Sequence, residues 1–170
     1  MEGRMLQVRV AGVALDASGQ HVLLLKPIDE LPGSGRILPI WIGQMEATSI
    51  LVAVEGAEVP RPLAHDLMLR LLDTAGAELV QVGIARIDDG TFYAEATVST
   101  SGGAQVVDAR PSDAIALASR AAVPILVADE VMMDAGVPDF LPEEDVSERL
   151  DEFKRFLDDI EPEDFAGPDD

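Results

Sequence analysis

The chain contains no cysteine, which excludes disulfides and thiolate metal sites and is compatible with a reducing compartment. Aromatic residues are scarce, with five phenylalanines, one tyrosine and one tryptophan in 170 residues. Nucleobase-stacking platforms are therefore few. Histidine occurs only as His21 and His65. No run approaches the roughly 18 apolar residues of a membrane span. The start, MEGRMLQVRV, lacks the charged-then-apolar layout of a secretory signal. The expectation is a cytoplasmic protein with no membrane partner. Positive charge is also short, with 12 Lys and Arg against 32 Asp and Glu, a net charge of −20. Residues 129–170 hold 17 of the acids and three of the bases, net −14, which leaves 15 and nine, net −6, in the preceding 128. Neither part has the basic footprint of a protein that grips nucleic acid by charge alone. An enzyme whose metal ions screen the phosphate is still compatible with that charge.

Hydrophobic residues make up 48% of the chain, and its length suits one domain with a tail. The expected division is a body over residues 1–137 and an acidic C-terminal segment over 138–170. Leu6–Leu15, His21–Lys26 and Ile37–Ile42 read as strands, the first two joined by the turn Asp16–Gln20. Pro27–Arg36 is loop chemistry. After Gly43, Ala47, Ile50, Leu51 and Val54 recur at helical spacing, with Glu46 in the first turn and Gly56 as the stop. A second helix is expected from Pro62 to Gly76. Its stripe of Leu63, Leu67 and Leu71 would face the core, leaving His65 and Asp66 to point sideways or outward.

Val80, Val82 and Ile84 alternate on a fourth strand, and Phe92, Ala94, Ala96 and Val98 on a fifth. Asp89-Gly90 between them is a strong hairpin signal. Ser101–Gly103 turns into a sixth strand, Gln105–Asp108. Pro111 then opens an Ala-rich helix whose apolar face is Ala114, Leu117, Ala118 and Ala121, small enough to lie close on a sheet. Another apolar strand ends at Val127, and Glu130–Ala135 reads as a short helix. Glu46-Ala47 and Asp113-Ala114 stand at the same depth of two helices that each follow strands, which suggests an internal repeat of three strands and two helices. Val146, Leu150, Phe153, Leu157 and Ile160 mark an acidic amphipathic helix, with disorder expected over Pro162–Asp170. The fold class expected is α+β, a mixed sheet packed with helices.

Several residues suit chemistry. His65 is placed for general base work or for metal binding with an acid from another element, or for a local hydrogen bond alone. Asp66 and Glu46 join it as candidate catalytic acids. Arg61 and Arg110 each precede a proline that opens a helix, and there an arginine can hold a phosphate bidentately. The structural alternative for Arg110 is pairing with Glu46 or Asp66 to pin two corners together. Asp108, Asp113 and Glu46 are candidate Mg²⁺ or Mn²⁺ ligands, since hard cations take carboxylate oxygens. Asp113 and Glu46 equally suit helix-dipole and capping roles. Gly33-Ser34-Gly35 is no phosphate loop, because no helix follows and no Lys-Ser/Thr closes it.

Three separated motifs, ILPIWIG with Glu46-Ala47, Arg61-Pro62 with His65-Asp66-Leu67, and DARPSDAIALA from Asp108, together resemble the bifunctional nuclease family over roughly Leu6 to Val137. The resemblance implies an α+β fold with a mixed sheet, bacterial cytoplasmic members, homo-oligomers, and hydrolysis of both RNA and DNA. The roles offered for His65, Asp66, Glu46, Arg61, Arg110, Asp113 and Asp108 come from motif and chemistry. Two functions follow. One is a nuclease assisted by a divalent cation with a nucleic-acid substrate; the other is a non-catalytic oligomeric binding or regulatory domain in which the same residues brace two helix starts.

Overall fold

The computed structural model describes residues 3–139. The acidic helix expected around Val146–Ile160 and the expected disorder after Pro162 lie outside the described residues. Eight strands and four helices follow in the order β1 (Met5–Leu15), β2 (His21–Pro27), β3 (Arg36–Ile42), α1 (Gln44–Glu55), α2 (Ala64–Thr74), β4 (Glu78–Asp88), β5 (Thr91–Thr100), β6 (Gly103–Ala109), α3 (Pro111–Ala121), β7 (Ile125–Ala128), α4 (Asp129–Ala135) and β8 (Val137–Pro138). The described residues divide into two compact units, 3–29 with 36–137, and 30–35 with 138–139. In the described part of the second, Gly33 N–H donates to Asp139 Oδ2 at 3.1 Å and Asp139 N–H to the Gly35 carbonyl at 2.9 Å.

The sheet runs β6-β5-β4-β7-β1-β2-β3-β8. It is mixed, as expected, because β4 and β7 are parallel while their neighbours pair antiparallel. The chain between β4 and β7 is long enough for this crossover because it carries β5, β6 and α3. Leu23, Leu25, Leu38, Ile50, Val82, Ile84, Ile115 and Val127 are fully buried and form the centre of the core. The Asp89-Gly90 hairpin has positive φ at both residues, 49° and 76°, so its twist matches that of β4 and β5.

Two expectations on side-chain direction fail. Val80 is exposed, and Leu79, Val82 and Ile84 are buried instead. A register shift between Leu79 and Gln81 inserts a residue into β4 and breaks the alternation there. In α2 the stripe of Leu67, Met68 and Leu71 lies on the exposed side, while His65 is the buried residue of the helix. Leu69 and Leu72 make its apolar contact with the core. The helix also starts later than Pro62: its N-cap is Leu63, the one residue between Pro62 and Ala64, and it is extended. His65, Leu69 and Leu72 stand at i, i+4 and i+7, so they share the inward face, and Leu67, Met68 and Leu71 fall on the other. At α3 the expectation holds, with Pro111 at the first helical position and Ala114 and Ala118 buried. α3 packs against both α1 and α2, so the starts of all three helices converge.

Candidate active site

Gly43 caps α1 in extended conformation and Glu46 lies in its first turn. Asp66 stands in the first turn of α2, and Asp113 in that of α3. Three carboxylates at three helix starts meet exposed N–H groups and positive dipole ends, a stable arrangement for negative charge. Asp66 shows this directly: its Oδ2 accepts the Leu63 N–H at 2.8 Å, the reciprocal half of a capping box.

Between the helices runs a continuous hydrogen-bonded chain. Ser49 Oγ lies 2.7 Å from His65 Nδ1, and His65 Nε2 lies 2.9 Å from Asp113 Oδ1. Asp113 accepts only, so Nε2 carries a proton; in the neutral ring Nδ1 then accepts from the Ser49 hydroxyl. Arg110 closes the outer end. Its Nε donates to Asp113 Oδ2 at 2.8 Å and its Nη2 to Asp113 Oδ1 at 3.2 Å, while Nη1 reaches Glu46 Oε1 at 3.3 Å. Arg120 closes the inner end, donating to Asp66 Oδ1 at 2.9 Å, to Ser49 Oγ at 3.1 Å and to the Ala116 carbonyl at 3.0 Å.

Exposure separates the two arginines. The Arg110 side chain is 64% exposed and that of Arg120 only 7%. Arg110 is therefore open to a ligand, and Arg120 is interior mortar. Burial pushes the Asp113 carboxyl up, but hydrogen bonds from Arg110 and His65 outweigh it and hold the group below its ordinary value. Burial likewise opposes Asp66, whose bonds from Leu63 N–H and Arg120 win. The Asp113 hydrogen bond, with help from Glu46, raises Arg110 further. Asp113 thus keeps its charge across the neutral range.

A cleft of about 760 Å³ opens over this chain, and Glu46, Ser49, His65, Met68, Arg110 and Asp113 line it. Of the residues singled out in the sequence, Glu46, His65, Arg110 and Asp113 come together here. Asp66 adjoins them from behind, turned toward Arg120, and is not part of the lining. Arg61 is exposed before α2, and Asp108 is exposed on β6; neither lines the cleft. Among the described residues no three His, Cys, Asp or Glu converge as metal donors. Both Asp113 oxygens already accept from cations or from His65, so the donor set as arranged does not fit a divalent cation.

Ser49 and Arg120 were not singled out from the sequence. Each had a signal: Ser49 follows Glu46 by three residues, and Arg120 follows Asp113 by seven, so each shares a helix face with a residue already suspected.

An α+β domain with three helix starts around a charged cleft is the class that fold and site define. The bifunctional nuclease domain model matches residues 23–139. An uncharacterised protein of Mycobacterium tuberculosis is 40% identical over 168 residues, covering 95% of this chain and 98% of its own. Bifunctional nuclease 1 of Arabidopsis thaliana is 30% identical over 115 residues, 66% of this chain and 34% of its own. The bifunctional nuclease of Oryza minuta is 26% identical over 125 residues, 72% of this chain and 37% of its own. This chain belongs to the bifunctional nuclease domain family. It spans about a third of the length of those plant relatives. No helix among the described residues is long and apolar enough to cross a membrane.

Proposed function

We propose that the cleft hydrolyses phosphodiester bonds of RNA and DNA, with Arg110 as the phosphate receptor. The observation that carries this reading is the unequal grip on Arg110. Asp113 holds the guanidinium at two points, whereas Glu46 holds it by one long contact. A phosphate oxygen entering the cleft displaces Glu46 from Nη1 and leaves the Asp113 clamp intact. Glu46 is then free to take a proton from the attacking water as its oxygen forms the new bond to phosphorus, the P–O bond to the sugar breaks, and the leaving sugar oxygen takes a proton from solvent water. His65 exchanges protons with the cleft through Ser49 Oγ, its hydrogen-bonded neighbour opposite Asp113. The plant relatives' names support the substrate class. No step runs through a cation, because the acids are committed elsewhere. Whether Mg²⁺ or Mn²⁺ enters with the substrate is read by EDTA.

The test is hydrolysis of end-labelled single strands of RNA and DNA by purified chain. Glu46→Gln should lower the rate by about 10²-fold or more, the range for a lost general base. Equal rates for the variant and the wild type would remove Glu46 from the chemistry.

Gly43→Ala gives a subtler check. Gly43 has φ −73° and ψ 163°, a conformation any residue adopts, but a β-carbon there collides with Glu46 Oε2. The carboxylate is the end of a flexible side chain and moves, so the melting temperature should stay within a few degrees. Activity should fall with the displaced Glu46; unchanged activity would show that its position is unimportant.

A second reading, a non-catalytic binding domain, draws on one observation. Every buried side-chain polar atom among the described residues is hydrogen-bonded, so the chain from Asp113 to Asp66 suffices as a brace. That reading expects His65→Ala to lower stability and leaves nucleic acid uncut.

A further inference from the structure

We propose that Trp41 is a nucleobase-stacking platform and that the protein takes single-stranded nucleic acid, one base lying on the indole while the adjoining phosphate sits on Arg110. This rests on the nuclease reading above and names its substrate class. Trp41 is the chain's one tryptophan, and it stands on β3 with 55% of its surface exposed. Leaving so large an apolar face in water is unfavourable. The ring is nevertheless held in one orientation. Its indole N–H donates to Asp16 Oδ2 at 3.0 Å. Asp16 is itself tied down, its Oδ1 accepting the Ser18 and Gln20 N–H groups at 2.8 and 2.9 Å in the β1–β2 turn. The one polar atom of the indole is satisfied within the protein, so a ligand meets only its π-face.

Trp41 edges a second cleft of about 500 Å³, which Phe92 of β5 and Gly90 at the hairpin tip also line. The two clefts share Glu46 and Arg110. Arg110 therefore stands between an aromatic wall on one side and the Ser49–His65–Asp113 chain on the other, the order of groups that a base and its adjoining phosphate require. Bases in a duplex have their π-faces covered by neighbours, so a stacking platform selects unpaired strands. Stacking also fits the charge of this protein. With a net −6 in its first 128 residues it cannot rely on counterion release, and a stack on a neutral ring supplies affinity that charge does not.

The tryptophan reports on its own role. Full-length Glu46→Gln protein, used to prevent cleavage, is titrated with a 12-nucleotide oligo(dT) while indole fluorescence and the anisotropy of a labelled strand are followed. Saturable quenching parallel to the anisotropy is expected. Trp41→Leu should weaken binding about ten-fold or more, the range for one lost base–aromatic stack, and Trp41→Phe should recover part of it. A blunt duplex of the same length should neither quench nor bind comparably. Binding by anisotropy without quenching, or with unchanged affinity in Trp41→Leu, would overturn the stacking platform and leave the nuclease reading standing. Equal quenching by duplex would overturn the single-strand selection. Hydrolysis absent in wild type and binding absent for either strand form would instead defeat the nuclease reading on which the platform rests.

Discussion

Arg110→Ala should lower phosphodiester hydrolysis by about 10²- to 10³-fold, the usual effect of losing one charged stabiliser of a developing oxyanion. The fold should survive. The side chain is 64% exposed, and exposed ion pairs contribute between zero and about 1 kcal/mol. Asp113 keeps its bond from His65, so no buried carboxylate is stranded. Arg110→Lys should restore little, since an ammonium cannot hold both Asp113 oxygens and a phosphate in one plane. Initial rates on labelled single strands and a thermal melt, measured on the same preparations, separate the two effects. A variant that cuts at the wild-type rate would show that phosphate binds elsewhere.

Arg120→Met should have the largest effect on stability. Its guanidinium is 7% exposed and ties α1, α2 and α3 together through Ser49, Asp66 and Ala116. Removing one partner of a buried pair leaves the other charge uncompensated, at a cost of about 3 kcal/mol. In a protein of this size that lowers the melting temperature by roughly 6–12 °C. The pH dependence should change as well. Asp66 sits below its ordinary value in the folded protein, so its contribution is fully present above about pH 3.9 and is lost as pH falls through the depressed folded value. Wild type should therefore lose stability on acidification from pH 5 to 3. In Arg120→Met the Leu63 N–H still holds Asp66 down, but the Arg120 hydrogen bond and charge that also oppose burial are gone, and that acid-dependent loss should shrink. The double variant Arg120→Met/Asp66→Leu should regain part of the stability, because it removes both charges. Chemical denaturation at pH 7, 5 and 3 measures all three; identical acid slopes in wild type and Arg120→Met would contradict the assignment.

Backbone chemistry made much of this fold legible in the sequence. Pro111 and the small residues after it define α3, Asp89-Gly90 the β4–β5 hairpin, and Gly43 and Gly56 the ends of α1. These signals are local. The face of α2 was not legible. Three leucines at helical spacing read as a core stripe, yet the buried residue is His65, because a satisfied polar chain from Asp113 to Asp66 outweighs apolar periodicity there. That chain joins residues up to 71 positions apart, and no local pattern encodes it. The pairing of Arg110 with Glu46 rather than Asp66 could be resolved only in three dimensions, since Asp66 is claimed by Arg120. Val80 misled for a smaller reason, the extra residue that β4 carries between Leu79 and Gln81.

The central claim is that a phosphodiester seats on Arg110 and releases Glu46. The Nε–H resonance of Arg110 in ¹³C,¹⁵N-labelled protein, assigned by its loss in Arg110→Lys, reads this directly. On titration with a non-hydrolysable dinucleotide phosphorothioate it should shift saturably, and the Glu46 side-chain carboxyl carbon should shift with it. A dinucleotide that binds while both resonances stay in place would show that the phosphate goes elsewhere and that these helix starts are only a brace.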